Sequence, residues 1–159
     1  MSRVQLALNV DDLDAAVDFY SRLFATTPAK LRPGYANFAI ENPPLKLVLF
    51  EQAGKGGTIN HLGVEVESSE LVGAAQARLA GEGLTTATEA GVACCYARQD
   101  KVWVDGPSGE PWEIYTVLSD VEMPGGELRT VDPETGAVCC ATATATDDGE
   151  VVASAAACC

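Results

Sequence analysis

His61 is the only histidine in the 159-residue chain. It sits in the stretch Ile59-Asn60-His61-Leu62-Gly63-Val64-Glu65-Val66-Glu67, which has an earlier counterpart in Gln5-Leu6-Ala7-Leu8-Asn9-Val10-Asp11. Superposed, Gln5 falls on His61, Leu6 on Leu62, Ala7 on Gly63, Leu8 on Val64 and Val10 on Val66. Both copies alternate with the period of a strand that has one covered face. Leu6, Leu8 and Val10, like Leu62, Val64 and Val66, share one side. Gln5 and His61 occupy the other, next to the small residues Ala7 and Gly63. A third group with chemical potential is Glu113, which faces away from its apolar neighbours Trp112 and Ile114. A carboxylate buried there needs an occupant, and a metal ion is the simplest. Gln5, His61 and Glu113 are therefore the candidate ligands, and three donors on one side of an ion leave positions open for reactants. That suits a reactive centre better than a closed structural site. Glu51, just past the apolar run Leu45–Phe50, is the one candidate for a fourth donor. Gln5 also admits a plainer role, as a hydrogen-bonding group inside the cavity.

The second chemical signal is sulfur. Six cysteines occur as adjacent pairs, Cys94-Cys95, Cys139-Cys140 and Cys158-Cys159. Neighbouring Cα atoms lie about 3.8 Å apart, below the usual disulfide span of roughly 4.4–6.8 Å, so a bridge within a pair is strained. Side-by-side thiols suit soft, thiophilic ions. The bland alternative for Cys94 and Cys95 is a pair of small buried hydrophobes. Gly91, Tyr96 and Arg98 around them indicate a loop, with Gly91 as its source of freedom. Tyr96, and equally Tyr115, could orient a substrate or simply pack.

Strands and helices must position these groups, and the chain reads as one set of elements used twice. Arg3–Val10 is strand-like. Asp11 and Asp12 offer a helix cap, and Leu13, Val17, Tyr20 and Phe24 mark one helical face. Strands are expected around Ala29–Arg32, Tyr35–Ile40 and Leu45–Phe50, with turns at Pro33-Gly34 and Asn42-Pro43-Pro44. Gln52–Thr58 reads as a linker. The second copy runs as strand Ile59–Glu67, then a helix capped at Ser68 or Ser69 with Val72, Ala75 and Leu79 inward, then strands at Leu84–Glu89, Cys95–Arg98, Lys101–Asp105 and Trp112–Val117. The repeat period is near 56 residues. Each half alone would leave a sheet face bare, so the halves should share a cavity. The expected fold is α+β: two βαβββ modules (residues 1–58 and 59–120) forming a cupped half-barrel with a metal site in the shared cavity. Residues 121–159 form a Cys-pair-containing, largely disordered tail, because Thr130–Cys159 has no aromatic residue and five acids without a Lys or Arg.

Composition removes several classes. A formal net charge of −13 argues against nucleic-acid phosphates as partner. No apolar run approaches membrane-spanning length, and Met1-Ser2-Arg3-Val4 opens no secretory signal, so a cytoplasmic protein without membrane contact is expected. In that compartment the thiols stay reduced.

The repeated pattern over residues 3–118, with His61 in Asn60-His61-Leu62-Gly63-Val64 and Glu113 near the end of Asp105–Tyr115, resembles the vicinal-oxygen-chelate superfamily of glyoxalase I, extradiol dioxygenases and bleomycin-resistance proteins. Val10-Asp11-Asp12-Leu13-Asp14-Ala15-Ala16-Val17-Asp18-Phe19-Tyr20, the placed Cys94-Cys95 pair and the later Cys pairs are most similar to bacterial carbon–arsenic lyases, which are non-haem iron dioxygenases. The resemblance implies that Gln5, His61 and Glu113 hold Fe(II), with Ni, Co or Zn as other divalent candidates. It also implies that Cys94 and Cys95, beside Tyr96, grip trivalent arsenic and hang its carbon over the iron. Dioxygen is then the co-substrate and inorganic arsenite the product, from a monomer or homodimer. Gln5 departs from the pattern, since iron dioxygenases of this group usually have His there and glyoxalase-type isomerases have Gln. Two rival functions stand beside this one: a thiol protein that sequesters arsenite or cadmium, and a glyoxalase-type metal-dependent isomerase.

Overall fold

A computed structural model describes residues 2–122, and beyond them the backbone of short strand segments at 130–131, 138–139, 143–145 and 151–153. The fold is α+β. The elements are β1 (Arg3–Val10), α1 (Leu13–Phe24), β2 (Lys30–Arg32), β3 (Tyr35–Ile40), β4 (Leu45–Glu51), β5 (Ile59–Glu65), α2 (Ser69–Gly81), β6 (Thr86–Cys94), β7 (Ala97–Asp105) and β8 (Pro111–Asp120). The short segments are β9 (Thr130–Val131), β10 (Val138–Cys139), β11 (Ala143–Ala145) and β12 (Val151–Ala153). The expectation of a disordered tail, with Cys140, Cys158 and Cys159, lies outside the described residues, as does the side chain of Cys139.

The strand order is β2-β3-β4-β1-β5-β8-β7-β6. Its two halves are the same arrangement used twice, β2-β3-β4-β1 and β6-β7-β8-β5. In each, the first strand pairs in parallel with the last, β1 with β4 and β5 with β8, so the chain must cross over through a helix to return. The halves meet where β1 and β5 run antiparallel, centred on Leu6 opposite Leu62. The chain divides into two compact units, Met1–Ala90 with Asp100–Val117, and Gly91–Gln99 with Leu118–Cys159.

In the first unit, α1 starts where Asp12 accepts the Ala15 N–H at 2.9 Å and ends at Ala25, whose φ of 50° is left-handed. Its apolar stripe closes a core of Leu13, Ala36, Phe38, Ile40, Leu47 and Leu49, against which Leu6, Leu8, Val10, Val17, Tyr20 and Phe24 pack. The other face of β1 presents Gln5, Ala7 and Asn9, all buried. Alternation thus sends greasy residues to the helix and polar ones to the opposite hollow. Helix α2 buries Val72 and Leu79.

The later strands differ from the sequence expectation. Leu84–Glu89 is displaced to Thr86–Cys94, and the two short strands at Cys95–Arg98 and Lys101–Asp105 are one strand, β7. The polar run Arg98-Gln99-Asp100-Lys101 disguises it, because Gln99 and Lys101 are buried rather than solvated. No helix among the described residues is long and apolar enough to cross a membrane.

Candidate functional site

The first unit brings Gln5, His61 and Glu113 together. Gln5 Nε2 lies 2.9 Å from His61 Nε2 and 2.6 Å from Glu113 Oε1, and His61 Nε2 is 3.4 Å from the same carboxylate oxygen. Donors on one face of an octahedral ion with bonds of about 2.1 Å stand roughly 3.0 Å apart. With the Gln5 amide oxygen in the place of Nε2, the three side chains would have about the spacing of a facial triad, with an amide where such triads commonly place a second imidazole.

Small residues permit this convergence. In the β1–β5 register Gln5 faces Gly63 and Ala7 faces His61. In the parallel β5–β8 register Gly63 also sits beside Glu113. A Cβ at Gly63 would lie 3.0 Å from Glu113 Cγ and 3.3 Å from Gln5 Cβ. Glycine is what lets the two polar side chains close over that backbone. The duplicated half has Val48 beside Ala7 where this half has Glu113 beside Gly63. Glu51, the candidate fourth donor, instead accepts the Leu13 N–H at the start of α1 at 3.0 Å.

His61 is held in one tautomer by a directed chain. Between Ala7 and Leu8 the register slips, leaving Asn60 as a bulged residue of β5. Thr58 donates its hydroxyl proton to the Lys55 carbonyl, and its oxygen accepts from Asn9 Nδ2. Asn9 Oδ1 accepts from Asn60 Nδ2, which leaves Asn60 Oδ1 as acceptor for His61 Nδ1 at 2.8 Å. A backbone carbonyl can only accept, so every polarity along the chain follows from it. Nδ1 carries the proton and Nε2 turns its lone pair toward Gln5 and Glu113. Phe50 and Trp103 flank the imidazole, with ring centroids 6.1 and 5.6 Å away.

Glu113 is 3% exposed and its second oxygen is taken by Lys101 Nζ at 2.9 Å, itself 2% exposed. Burial alone would raise the carboxyl pKa, but the Lys101 ammonium outweighs it and holds the carboxyl below its ordinary range. Glu113 is thus ionised, and only Oε1 points at the other two candidate ligands. Beneath Gln5 lies a second buried group. Tyr115 OH is 2.6 Å from Gln5 Oε1 and 2.9 Å from Glu65 Oε2. Glu65 in turn takes both guanidinium contacts of Arg3, at 3.1 and 3.2 Å, and Lys46 Nζ at 3.3 Å. Burial pushes Glu65 up, but Lys46, the Tyr115 hydroxyl and Arg3 together hold it below its ordinary range. Burial pulls Lys46 down, against the pull of Glu65, and raises the Tyr115 phenol well above its usual value.

In the second unit, Cys94 closes β6 and Ala97 opens β7, with Cys95 and Tyr96 as a two-residue connection. Their φ values are 53° and 64°. Positive φ at both central residues is the signature of a type I′ hairpin turn, a place for Asn-Gly rather than Cys-Tyr. The Cys pair is therefore in a tight hairpin and not in the open loop expected, and Gly91 lies within β6, its carbonyl bound by Arg98 at 2.8 Å. Both thiols are half-buried, and their sulfurs are 3.1 Å apart. An atom bonded to both at about 2.3 Å would subtend about 85°, near the right angle of a pyramidal trivalent centre.

Sequence reasoning missed Lys101, Glu65, Lys46, Asn60 and Asn9 as parts of this arrangement. The available signal was a lysine inside an apolar strand pattern in each half: Lys46 in β4 and Lys101, two residues before Trp103, in β7.

A parallel-crossover sheet used twice, with polar side chains meeting at the seam, defines a duplicated βαβββ protein of the glyoxalase type. The chain belongs to the glyoxalase/bleomycin resistance protein/dioxygenase superfamily, whose family profile matches residues 3–114. It is 64% identical over 123 residues to the trivalent organoarsenical cleaving enzyme of Thermomonospora curvata, covering 77% of this chain and 82% of that protein. It is 63% identical over 142 residues to the cadmium-induced protein CadI of Mycobacterium tuberculosis, covering 88% and 93%. Among solved structures it is similar in fold to an extradiol ring-cleaving dioxygenase from B. fuscum, with a TM-score of 0.55 and 21% identity over 76% of this chain and 34% of that one.

Proposed function

We propose that this protein is a non-haem Fe(II)-dependent dioxygenase that cleaves the carbon–arsenic bond of trivalent organoarsenicals, methylarsenite or trivalent aromatic arsenicals, to inorganic arsenite. The observation that carries the reading is the Cys94–Cys95 sulfur pair, 3.1 Å apart on a strained turn, in a chain 64% identical to a protein named for organoarsenical cleavage. The two thiols take a trivalent organoarsenical by losing two protons as arsenic loses two hydroxyls, so two waters leave and two As–S bonds form. Tyr96, the second central residue of that turn, helps to orient the organic group. Gln5, His61 and Glu113 fit a ferrous ion by spacing and donor type. When bound, such an ion would supply the redox chemistry by which dioxygen oxidises the carbon that bears arsenic, one oxygen atom leaving on the carbon and one on arsenic, so that methylarsenite and dioxygen balance formaldehyde and arsenite. The chain's own contribution is to aim the donors. Lys101 keeps Glu113 ionised and takes Oε2, so that Oε1 is turned toward Gln5 and His61, and Asn60 keeps the His61 lone pair inward. With three donors from the protein, sites remain for reactants.

A second reading, thiol sequestration of arsenite or cadmium, is favoured by the longer match to the cadmium-induced protein. One comparison separates them. Arsenite release from methylarsenite is measured with and without oxygen for wild type, Cys94→Ser and Glu113→Ala. The expected result is release only by the iron-loaded wild type in oxygen, with both variants down by about 100-fold or more, beyond the roughly 10–100-fold cost of losing a supporting contact. Equal release without oxygen rejects the dioxygenase reading. Full cellular protection by Glu113→Ala supports sequestration.

A further inference from the structure

The hydroxyl of Tyr115 has one proton and two neighbours that call for it. Gln5 Oε1 lies 2.6 Å away and Glu65 Oε2 lies 2.9 Å away. Glu65 is flanked by Arg3 and Lys46, so it is an acceptor with nothing to donate. If Tyr115 gives its proton to Gln5, the Glu65 contact has no hydrogen in it. The conflict disappears when the Gln5 amide is turned over. Oxygen and nitrogen then exchange places, with no other atom moved. The amide nitrogen donates to Tyr115, Tyr115 donates to Glu65, and the amide oxygen faces His61 Nε2 and Glu113 Oε1.

That turned arrangement has its own requirement. As the structure stands, the Gln5 N–H groups satisfy two acceptors, His61 Nε2 at 2.9 Å and Glu113 Oε1 at 2.6 Å. An oxygen in that position would face a carboxylate oxygen and an imidazole lone pair, which repel it unless a cation sits among the three. An amide coordinates a cation through oxygen, the atom that the turn brings inward. The two orientations therefore belong to two states of the site. Nitrogen inward suits the ion-free protein, and oxygen inward suits the loaded one.

We propose that Tyr115 and Glu65 are positioning residues that select the oxygen face of Gln5 for the metal, so that loading turns the amide over and completes the Gln5–Tyr115–Glu65 hydrogen-bond chain. The inference rests on the metal-site reading above. In its terms, Glu65 is a proton acceptor locked in place by Arg3 and Lys46, and Tyr115 transmits that polarity to the amide. Neither residue touches the ion.

Co(II) titration of the metal-free full-length protein, followed by its visible absorption, tests this. Tyr115→Phe removes the proton that answers Glu65, and Glu65→Gln lets that side chain donate to Tyr115. Each is expected to weaken Co(II) binding by about 10–100-fold, the usual effect of losing an outer contact to a ligand. The loss must run through Gln5, so Tyr115→Phe added to Gln5→Ala should weaken binding no further. The side-chain NH2 resonances of Gln5 should change on loading in wild type and not in Tyr115→Phe. Wild-type affinity in both Tyr115→Phe and Glu65→Gln, with binding lost in His61→Ala, overturns the inference and leaves the metal site standing. An additional loss in the Tyr115→Phe, Gln5→Ala double variant also overturns it. Undiminished binding in His61→Ala removes the metal reading itself.

Discussion

Gly63 shows how closely the candidate ligands are packed. A methyl group there meets Glu113 Cγ at 3.0 Å and Gln5 Cβ at 3.3 Å, so Gly63→Ala must displace one of them. Overpacking of this kind costs about 1–3 kcal/mol. We expect Gly63→Ala to unfold earlier in urea and to lose metal affinity by about tenfold or more, the size of an outer-contact loss, as read by calorimetric titration. An unchanged affinity would mean that Glu113 and Gln5 need not meet over this backbone. Gly63, unlike the ligand candidates, has no side chain to act with, yet its role was half legible in the sequence. The superposition of Ala7 on Gly63 shows small residues beside Gln5 and His61, but the nearness of Glu113 depends on the β5–β8 register, which alternation alone does not specify.

At the level of single elements, the hairpin from β6 to β7 departs furthest from what the sequence conveys. A turn with two positive φ angles is normally announced by Asn or Gly. Cys95-Tyr96 carries no such signal, and a polar run after it hides the continuation of the strand. Holding a non-glycine residue in the left-handed region costs on the order of 1–3 kcal/mol. The strain falls on Cys95 and Tyr96, in the turn that brings together sulfurs a straight strand would send to opposite faces. Cys95→Asn is therefore expected to raise the thermal midpoint, by an amount corresponding to about 1 kcal/mol, while abolishing arsenical capture. Thermal unfolding alongside methylarsenite binding would check both halves of that statement. A variant that is both more stable and still able to bind would separate the strain from the chemistry. The first half of the chain shows the opposite case. Asp12, Leu13, Val17, Tyr20 and Phe24 announce α1, and cap and stripe both appear where periodicity puts them, because a surface helix is decided by local pattern.

Across the whole molecule, the duplicated order of elements is legible because each half repeats the same alternations at a fixed spacing. The buried Lys46 and half-buried Glu65 beneath the seam are not, since nothing in composition distinguishes them from surface charges. Their burial makes stability depend on pH in a defined direction. The folded Glu65 carboxyl lies below its ordinary value of 4.5, with Arg3, Lys46 and Tyr115 facing it. A group whose pKa is depressed by folding stabilises the protein above the unfolded value and ceases to do so as pH falls through the folded one. The thermal midpoint of the metal-free protein should thus drop below about pH 5, and Glu65→Gln should start lower and fall less steeply. Parallel slopes for the two proteins would show that Glu65 carries none of the acid sensitivity.

The pairing of Val48 with Ala7, set against that of Glu113 with Gly63, has a consequence for reactivity. A perfectly duplicated chain would offer a bound cation two donors from each repeat, four in all. Here one repeat ends in an aliphatic side chain at the matching position. On the metal-site reading proposed above, this imperfect symmetry leaves three protein donors in place of four, and so one more position for a reactant.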